Sequence, residues 1–252
     1  MPDPVIEMQQ VVKRYEDVLA VDHVSFSVER GSVCALLGGN GAGKTTLLSM
    51  LLGLLLPTSG RISLLGTDML QHRYRVLGRV NLSSPYVDLP QRLTVHENLT
   101  VYARLYGVPR VGRRISSLAE QFDITRFLNR PYGTLSAGQR TRVALAKSLL
   151  NYPEVLLLDE PTASLDPDTA DTIRNYLAVY RRESDATFLM ASHNMLEVER
   201  LCDDVIMLRQ GVVVDRGSPQ SLLGHYGRET LEEVFIDVAR DTGRPVNRAA
   251  AS

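Results

Sequence analysis

Val33-Cys34-Ala35-Leu36-Leu37 is a short, uninterrupted apolar run, and it leads directly into Gly38-Gly39-Asn40-Gly41-Ala42-Gly43-Lys44-Thr45-Thr46. A run of this kind, ended by glycine, predicts a strand buried on both faces. The segment Thr45 to Leu56 is apolar nearly all round and closes at Pro57, which predicts a buried helix. Between them, Gly38-x4-Gly43-Lys44-Thr45 has the Walker A spacing of a phosphate-binding loop. Glycines let successive backbone N–H groups turn toward one anion, and the following helix aims its N-terminus at the same point. Lys44 adds a positive charge near the terminal phosphate, and the Thr45 hydroxyl is a candidate Mg²⁺ ligand. The ligand this predicts is a nucleotide held with Mg²⁺.

Outward from the loop, Val5 to Val12, Val24 to Val28 and Arg61 to Leu65 have strand-like content. Composition changes after about Pro85. Thr94 to Tyr106, Val111 to Leu128 and Ala137 to Asn151 read as helices, the first opened by a capping box of Thr94 and Glu97. Strands at Val155 to Leu158 and Thr187 to Ala191 alternate with helices at Pro167 to Arg182 and Met195 to Cys202. Asp204 to Leu208 and Val212 to Val214 read as a hairpin across Arg209-Gln210-Gly211. Leu231, Val234, Phe235 and Val238 form a helical stripe expected to pack on its own domain, and Gly243 to Ser252 reads as a frayed tail.

The expected fold is α/β: a P-loop NTPase core with an N-terminal antiparallel β part and an inserted α-helical lobe. The expected domains are one nucleotide-binding domain over residues 1–222 (core 1–84 and 152–222, lobe 85–151) and a C-terminal helix and tail over 223–252.

Asp159-Glu160 closes the apolar strand Val155 to Leu158. A carboxylate at a strand end can reach Mg²⁺, through water where needed. The neighbouring side chain points the other way along the pleat, or is redirected by the Pro161 turn. Two adjacent acids can therefore do different work.

The chain carries 28 basic and 29 acidic residues, net −1, which leaves no electrostatic footprint for nucleic acid or an anionic membrane surface. Its two cysteines, Cys34 and Cys202, lie in apolar surroundings without metal-ligand spacing and are expected as buried thiols, suited to a reducing cytoplasm. Met1-Pro2-Asp3-Pro4 does not read as a signal peptide, and no apolar run approaches the roughly 20 residues that span a bilayer.

With Leu135-Ser136-Ala137-Gly138-Gln139, Ser164-Leu165-Asp166 and His193 added in this order, the chain resembles the nucleotide-binding subunit of an ATP-binding cassette (ABC) transporter, from about Tyr15 to about Pro219. The resemblance implies ATP with Mg²⁺ as the bound pair, and hydrolysis of ATP as the activity. It implies roles residue by residue. Asp159 joins Thr45 on the metal, Glu160 orients the attacking water, and His193 bonds the γ-phosphate. Tyr15 stacks on adenine. Ser136, Ala137, Gly138 and Gln139 face the γ-phosphate held by a second copy in a head-to-tail dimer, and Asp166 belongs to the loop crossing between the two sites. Ser136 also reads locally as a helix N-cap, and Asp166 as a cap before Pro167; both readings stand together.

Two positions depart from the family pattern without changing the chemistry: Gly39 stands where proline is usual, and Ala137 where glycine is usual. A third departure matters more. The family's glutamine after the strand entering the lobe is missing from Arg79-Val80-Asn81-Leu82-Ser83-Ser84-Pro85-Tyr86, where Asn81, Ser83 and Ser84 are the polar candidates. Hydrolysis is still expected, since Lys44, Glu160 and His193 are present.

The implied partners are separate transmembrane permease subunits and a second ATPase subunit in a homodimer, at the cytoplasmic face of the membrane. Leu93 to Leu99, Tyr102 to Gly107 and Leu231 to Phe235 resemble exporter subunits of the ABC-2 type. The alternatives are an ABC-type ATPase without a transport role and an importer subunit.

Overall fold

The computed structural model describes residues 4–240, so Met1-Pro2-Asp3 and the expected tail from Gly243 lie outside the described residues. The chain divides into two compact units, one running through Arg73 and resuming at Leu189, the other Tyr74–Phe188. The first unit opens with β1 (Pro4–Tyr15), β2 (Val18–Glu29), β3 (Val33–Gly38), α1 (Lys44–Leu51), β4 (Ser59–Leu64), β5 (Thr67–Asp68) and the short α2 (Met69–His72). The second holds β6 (Val80–Ser83), α3 (Val95–Leu105), α4 (Val111–Gln121), α5 (Ala137–Ser148), β7 (Val155–Asp159) and α6 (Pro167–Ser184). The chain returns to the first within β8 (Thr187–Ala191) and continues through α7 (Met195–Leu201), β9 (Asp204–Arg209), β10 (Val212–Gly217), α8 (Pro219–Tyr226) and α9 (Leu231–Arg240). The fold is α/β, with the expected antiparallel N-terminal sheet, ordered β2-β1-β4-β5.

In the first unit β3 pairs in parallel with β9, and β9 antiparallel with β10. Every residue of β3 is buried, as its unbroken apolar run dictates. The strands β1 and β2 are longer than their composition indicates. They form one hairpin closed at Tyr15↔Val18, with Glu16 left-handed (φ 45) in a two-residue turn. The stripe on α9 packs inward, burying Leu231, Val234 and Val238. Cys34 and Cys202 are buried thiols outside any disulfide, and burial pushes the Cys34 thiol up.

The first helix is shorter than expected. It stops at Leu51 in a Schellman motif: Gly53 N–H donates to Met50 O at 3.0 Å and Leu54 N–H to Ser49 O at 3.0 Å, with Gly53 left-handed. Leu54 and Leu56, expected inside, are 76% and 55% exposed. Periodicity cannot separate a buried helix from an apolar helix end followed by an exposed loop.

In the second unit β6 and β7 are parallel, Val80↔Val155 through Ser83↔Leu158. The Thr94 capping box is present, with Glu97 N–H donating to Thr94 Oγ1 at 3.1 Å and Thr94 N–H to Glu97 Oε2 at 2.7 Å. The expected helix Val111–Leu128 ends at Gln121, where Asp123 turns left-handed (φ 48) and a 3₁₀ turn at Thr125–Phe127 follows. Likewise α5 ends at Ser148 rather than Asn151, whose amide caps the turn before β6 by donating to Gly78 O at 2.8 Å.

Lys147 on α5 is half-buried among neutral groups. Its Nζ lies 3.1 Å from Asn81 Oδ1, 3.4 Å from Leu82 O and 5.3 Å from the centre of the Tyr102 ring. Burial pushes its pKa down to about 8. The folded protein therefore sheds this proton before the unfolded chain does. The cost of burying the charge is fully present below pH 8 and is relieved as pH rises toward the ordinary lysine value. Compared with Lys147→Met, the parent protein should gain unfolding free energy between about pH 8 and pH 10.5, by on the order of 3 kcal/mol. Urea unfolding of both proteins across that range measures the difference, and a flat difference contradicts the assignment.

Candidate nucleotide site

The phosphate loop lies in the first unit between β3 and α1. Gly43 caps α1 in a left-handed conformation (φ 101), and a Cβ there would stand 2.8 Å from Ala20 O, so only glycine fits. No side chain caps α1, which leaves its first N–H groups directed at the loop's concavity. Lys44 Nζ donates to Gly38 O at 2.5 Å and Gly39 O at 3.1 Å, holding the ammonium inside the loop. Gly39, Asn40, Gly41 and Thr45 are exposed, Thr46 is half-buried and Ala42 is buried. Nothing lies within 4 Å of where a Cβ would stand at Gly39 or Gly41, so that face is open to a ligand.

The β9–β10 turn braces the loop from outside. Gly211 N–H donates to Ala42 O at 3.2 Å, while Gly211 O accepts from Asp22 N–H at 2.8 Å. In the sequence Gly211 reads only as a turn residue; the brace spans most of the chain and has no local signal.

Tyr15 ends β1 beside the hairpin turn. It is 45% exposed, and Lys13 Nζ sits 4.9 Å from its ring centre. His193 is exposed on the turn after β8. Ser192 and Asn194 set that turn: Ser192 Oγ donates to Glu197 Oε2 at 3.1 Å and accepts from Asn194 N–H at 3.1 Å, and Asn194 caps α7.

In the second unit, buried Asp159 ends β7 and half-buried Glu160 follows it in the left-handed region (φ 48). That conformation redirects the chain, so Glu160 is not aimed by the simple alternation of the strand. A non-glycine residue held there stores strain, a common mark of a working site.

Leu135–Gln139 opens α5 with a reciprocal capping box. Gln139 N–H donates to Ser136 Oγ at 3.3 Å, and Ser136 N–H to Gln139 Oε1 at 3.1 Å. Ser136 and Ala137 are exposed at this helix start. Asp166 caps α6, accepting from Thr169 N–H at 3.0 Å, with Pro167 in the first turn. The two helix starts touch: a Cβ on Gly138 would stand 3.0 Å from Ser164 O, which explains this glycine by close approach.

Of the three polar candidates after the lobe's entry strand, Asn81 is committed elsewhere. Its amide donates to Asn151 Oδ1 at 2.8 Å, and its oxygen accepts from Lys147 Nζ and Leu82 N–H. Ser83 and Ser84 line a cavity of about 420 Å³ together with Asp159, Glu160 and Arg140.

Strand, phosphate loop, helix and a strand-end acid pair define a P-loop ATPase. The sequence model of the family described as "ABC transporter" matches residues 21–163, and the chain belongs to that family. It is 38% identical over 238 residues to the ABC transporter ATP-binding protein NatA of Bacillus subtilis, covering 92% of this chain and 96% of that protein. It is also 38% identical to the Nod factor export ATP-binding protein I of Ralstonia nicotianae, covering 93% and 73%. A solved ATP-binding subunit of an ABC transporter superposes with a TM-score of 0.86 at 26% identity, covering 93% of this chain and 99% of that one. The protein is an ABC ATPase subunit and binds adenine nucleotide. No helix among the described residues is long and apolar enough to cross a membrane.

Proposed function

We propose that this chain powers an exporter of the ABC-2 type from the cytoplasmic face of the membrane, working as a head-to-tail homodimer with separate transmembrane subunits. The observation that carries export is the 38% identity, over 93% of the chain, to a protein named for Nod factor export. Exposed apolar side chains support a protein partner: Tyr86 and Val87 follow β6, and Val101 and Leu105 share one face of α3.

In this reading the N–H groups of Gly39 to Thr46 and the Lys44 ammonium hold the β- and γ-phosphates, and Tyr15 stacks on adenine. The Thr45 hydroxyl and the Asp159 carboxylate are hard oxygen donors that suit Mg²⁺. Bound there, the ion would neutralise phosphate charge as the terminal phosphoryl group transfers. Glu160 accepts a hydrogen bond from the attacking water and orients it in line with the γ-phosphorus. His193 donates to a γ-oxygen. The bond from γ-phosphorus to the bridging oxygen breaks, yielding ADP, phosphate and a proton. Ser136 and the α5 N-terminus contact the γ-phosphate held by the other copy, and Asp166 lies on the loop between the two sites. Residues 85–151 act as the lobe that meets the membrane subunits.

Purifying tagged Glu160→Gln protein from detergent-solubilised membranes with Mg-ATP tests this reading. A polytopic membrane protein recovered in stoichiometric amount is the expected result. Recovery alone, or with partners that have no membrane span, contradicts the transport role.

A further inference from the structure

We propose that Ser84 is the positioning residue for Asp159 and stands in for the missing glutamine by acting through that carboxylate. The inference rests on the metal role proposed for Asp159. The parallel register of β6 and β7 runs Val80↔Val155, Asn81↔Leu156, Leu82↔Leu157, Ser83↔Leu158. Continued by one step, it sets Ser84 opposite Asp159. Both residues are buried, and Ser84 Oγ lies 3.1 Å from Asp159 Oδ2.

A hydroxyl has one proton to give. Tyr86 N–H donates to Ser84 Oγ at 3.3 Å, so that oxygen serves as acceptor there and turns its own proton to Asp159. The terminal torsion of a carboxylate is soft and roughly two-fold. A directed hydrogen bond to Oδ2 narrows it before any ligand arrives. A serine oxygen is a single bond from Cβ, and its proton is spent on the acid. Its influence on a bound metal therefore passes through the orientation of Asp159 rather than by direct reach.

Ser84 is set in turn from outside. The N–H that holds it belongs to Tyr86, whose side chain is 79% exposed. The loop that orients the acid is thus the loop whose next residues face outward.

The test is equilibrium binding of ATP to the full chain, with excess Mg²⁺ and with excess EDTA, for the parent, Asp159→Asn, Ser84→Ala and Ser84→Thr. The readout is the factor by which Mg²⁺ raises ATP affinity. Asp159→Asn should erase that factor. Ser84→Ala should reduce it about tenfold, the lower end for one lost hydrogen bond to a charged group, with affinity in EDTA unchanged. Ser84→Thr, which keeps the hydroxyl, should restore it. If Asp159→Asn loses the factor while Ser84→Ala keeps it, Ser84 does not position the acid. A fall in affinity for Ser84→Ala in EDTA as large as in Mg²⁺ means general damage and also overturns the proposal. If Asp159→Asn itself keeps the factor, it is the metal role of Asp159 that fails. Should the alanine variant not fold, Ser84→Cys, a weaker donor of similar size, is read the same way.

Discussion

Glu160→Gln should lower steady-state ATP turnover by about a hundred- to ten-thousandfold, the range for removing a positioned proton acceptor, while ATP affinity stays within about twofold. The residue follows the last position of β7 and is held left-handed at φ 48. The turn it begins is pinned by Ala163 N–H donating to Glu160 O at 3.3 Å and by the buried side chains of Pro161 and Thr162. The backbone thus fixes where the side chain starts, and an amide of equal size keeps that placement. What changes is chemistry. A neutral amide neither accepts the water's proton nor polarises its O–H bond as a carboxylate does. With hydrolysis blocked and binding intact, the ATP-bound dimer should accumulate. Phosphate release gives the rate, and size-exclusion chromatography in Mg-ATP gives the dimer. Turnover within a few-fold of the parent's would remove Glu160 from the mechanism.

Lys44→Ala should weaken ATP binding about ten- to a hundredfold, as expected for losing hydrogen bonds between a cation and phosphate oxygens. The ammonium already sits inside the loop, donating to Gly38 O and Gly39 O. A phosphate group can exchange with these carbonyls without refolding the loop, so the side chain is preorganised. Lys44→Arg should not rescue binding. The planar guanidinium is wider than an ammonium and does not suit a site shaped for a compact charge. Calorimetric titration with ATP checks both variants. Unchanged affinity in the alanine variant would mean that the backbone N–H groups alone hold the phosphates.

The phosphate loop, the acid pair, the Thr94 capping box and the Ser136 cap were legible in the sequence because each is a local device. Consecutive N–H groups make the anion cradle, so Gly38 to Thr46 carry it without help from distant residues. The strands β3, β7 and β8 were equally clear, since a short unbroken apolar run is stable only between two covered faces. Element ends were less clear. The close of α1 at Gly53 rests on a left-handed residue within an apolar run, and the close of α4 on Asp123, a residue type that signals nothing by itself. The exposure of Leu54 and Leu56 follows from the first of these.

The missing glutamine shows where local reading runs out. Three polar residues, Asn81, Ser83 and Ser84, were equal candidates by composition. The structure spends Asn81 on Asn151 and Lys147 and brings Ser84 to Asp159, across 75 residues of sequence. The Gly211 brace on Ala42 and the approach of Gly138 to Ser164 belong to the same class.

By itself the sequence determined the nucleotide chemistry, the α/β class and the family, because these depend on contiguous residues and on the period of apolar positions. Only the tertiary structure decided that Ser84 donates to Asp159 and that Gly211 braces the phosphate loop. Those pairings are set by strand register and by the approach of distant backbones, and no local propensity encodes either.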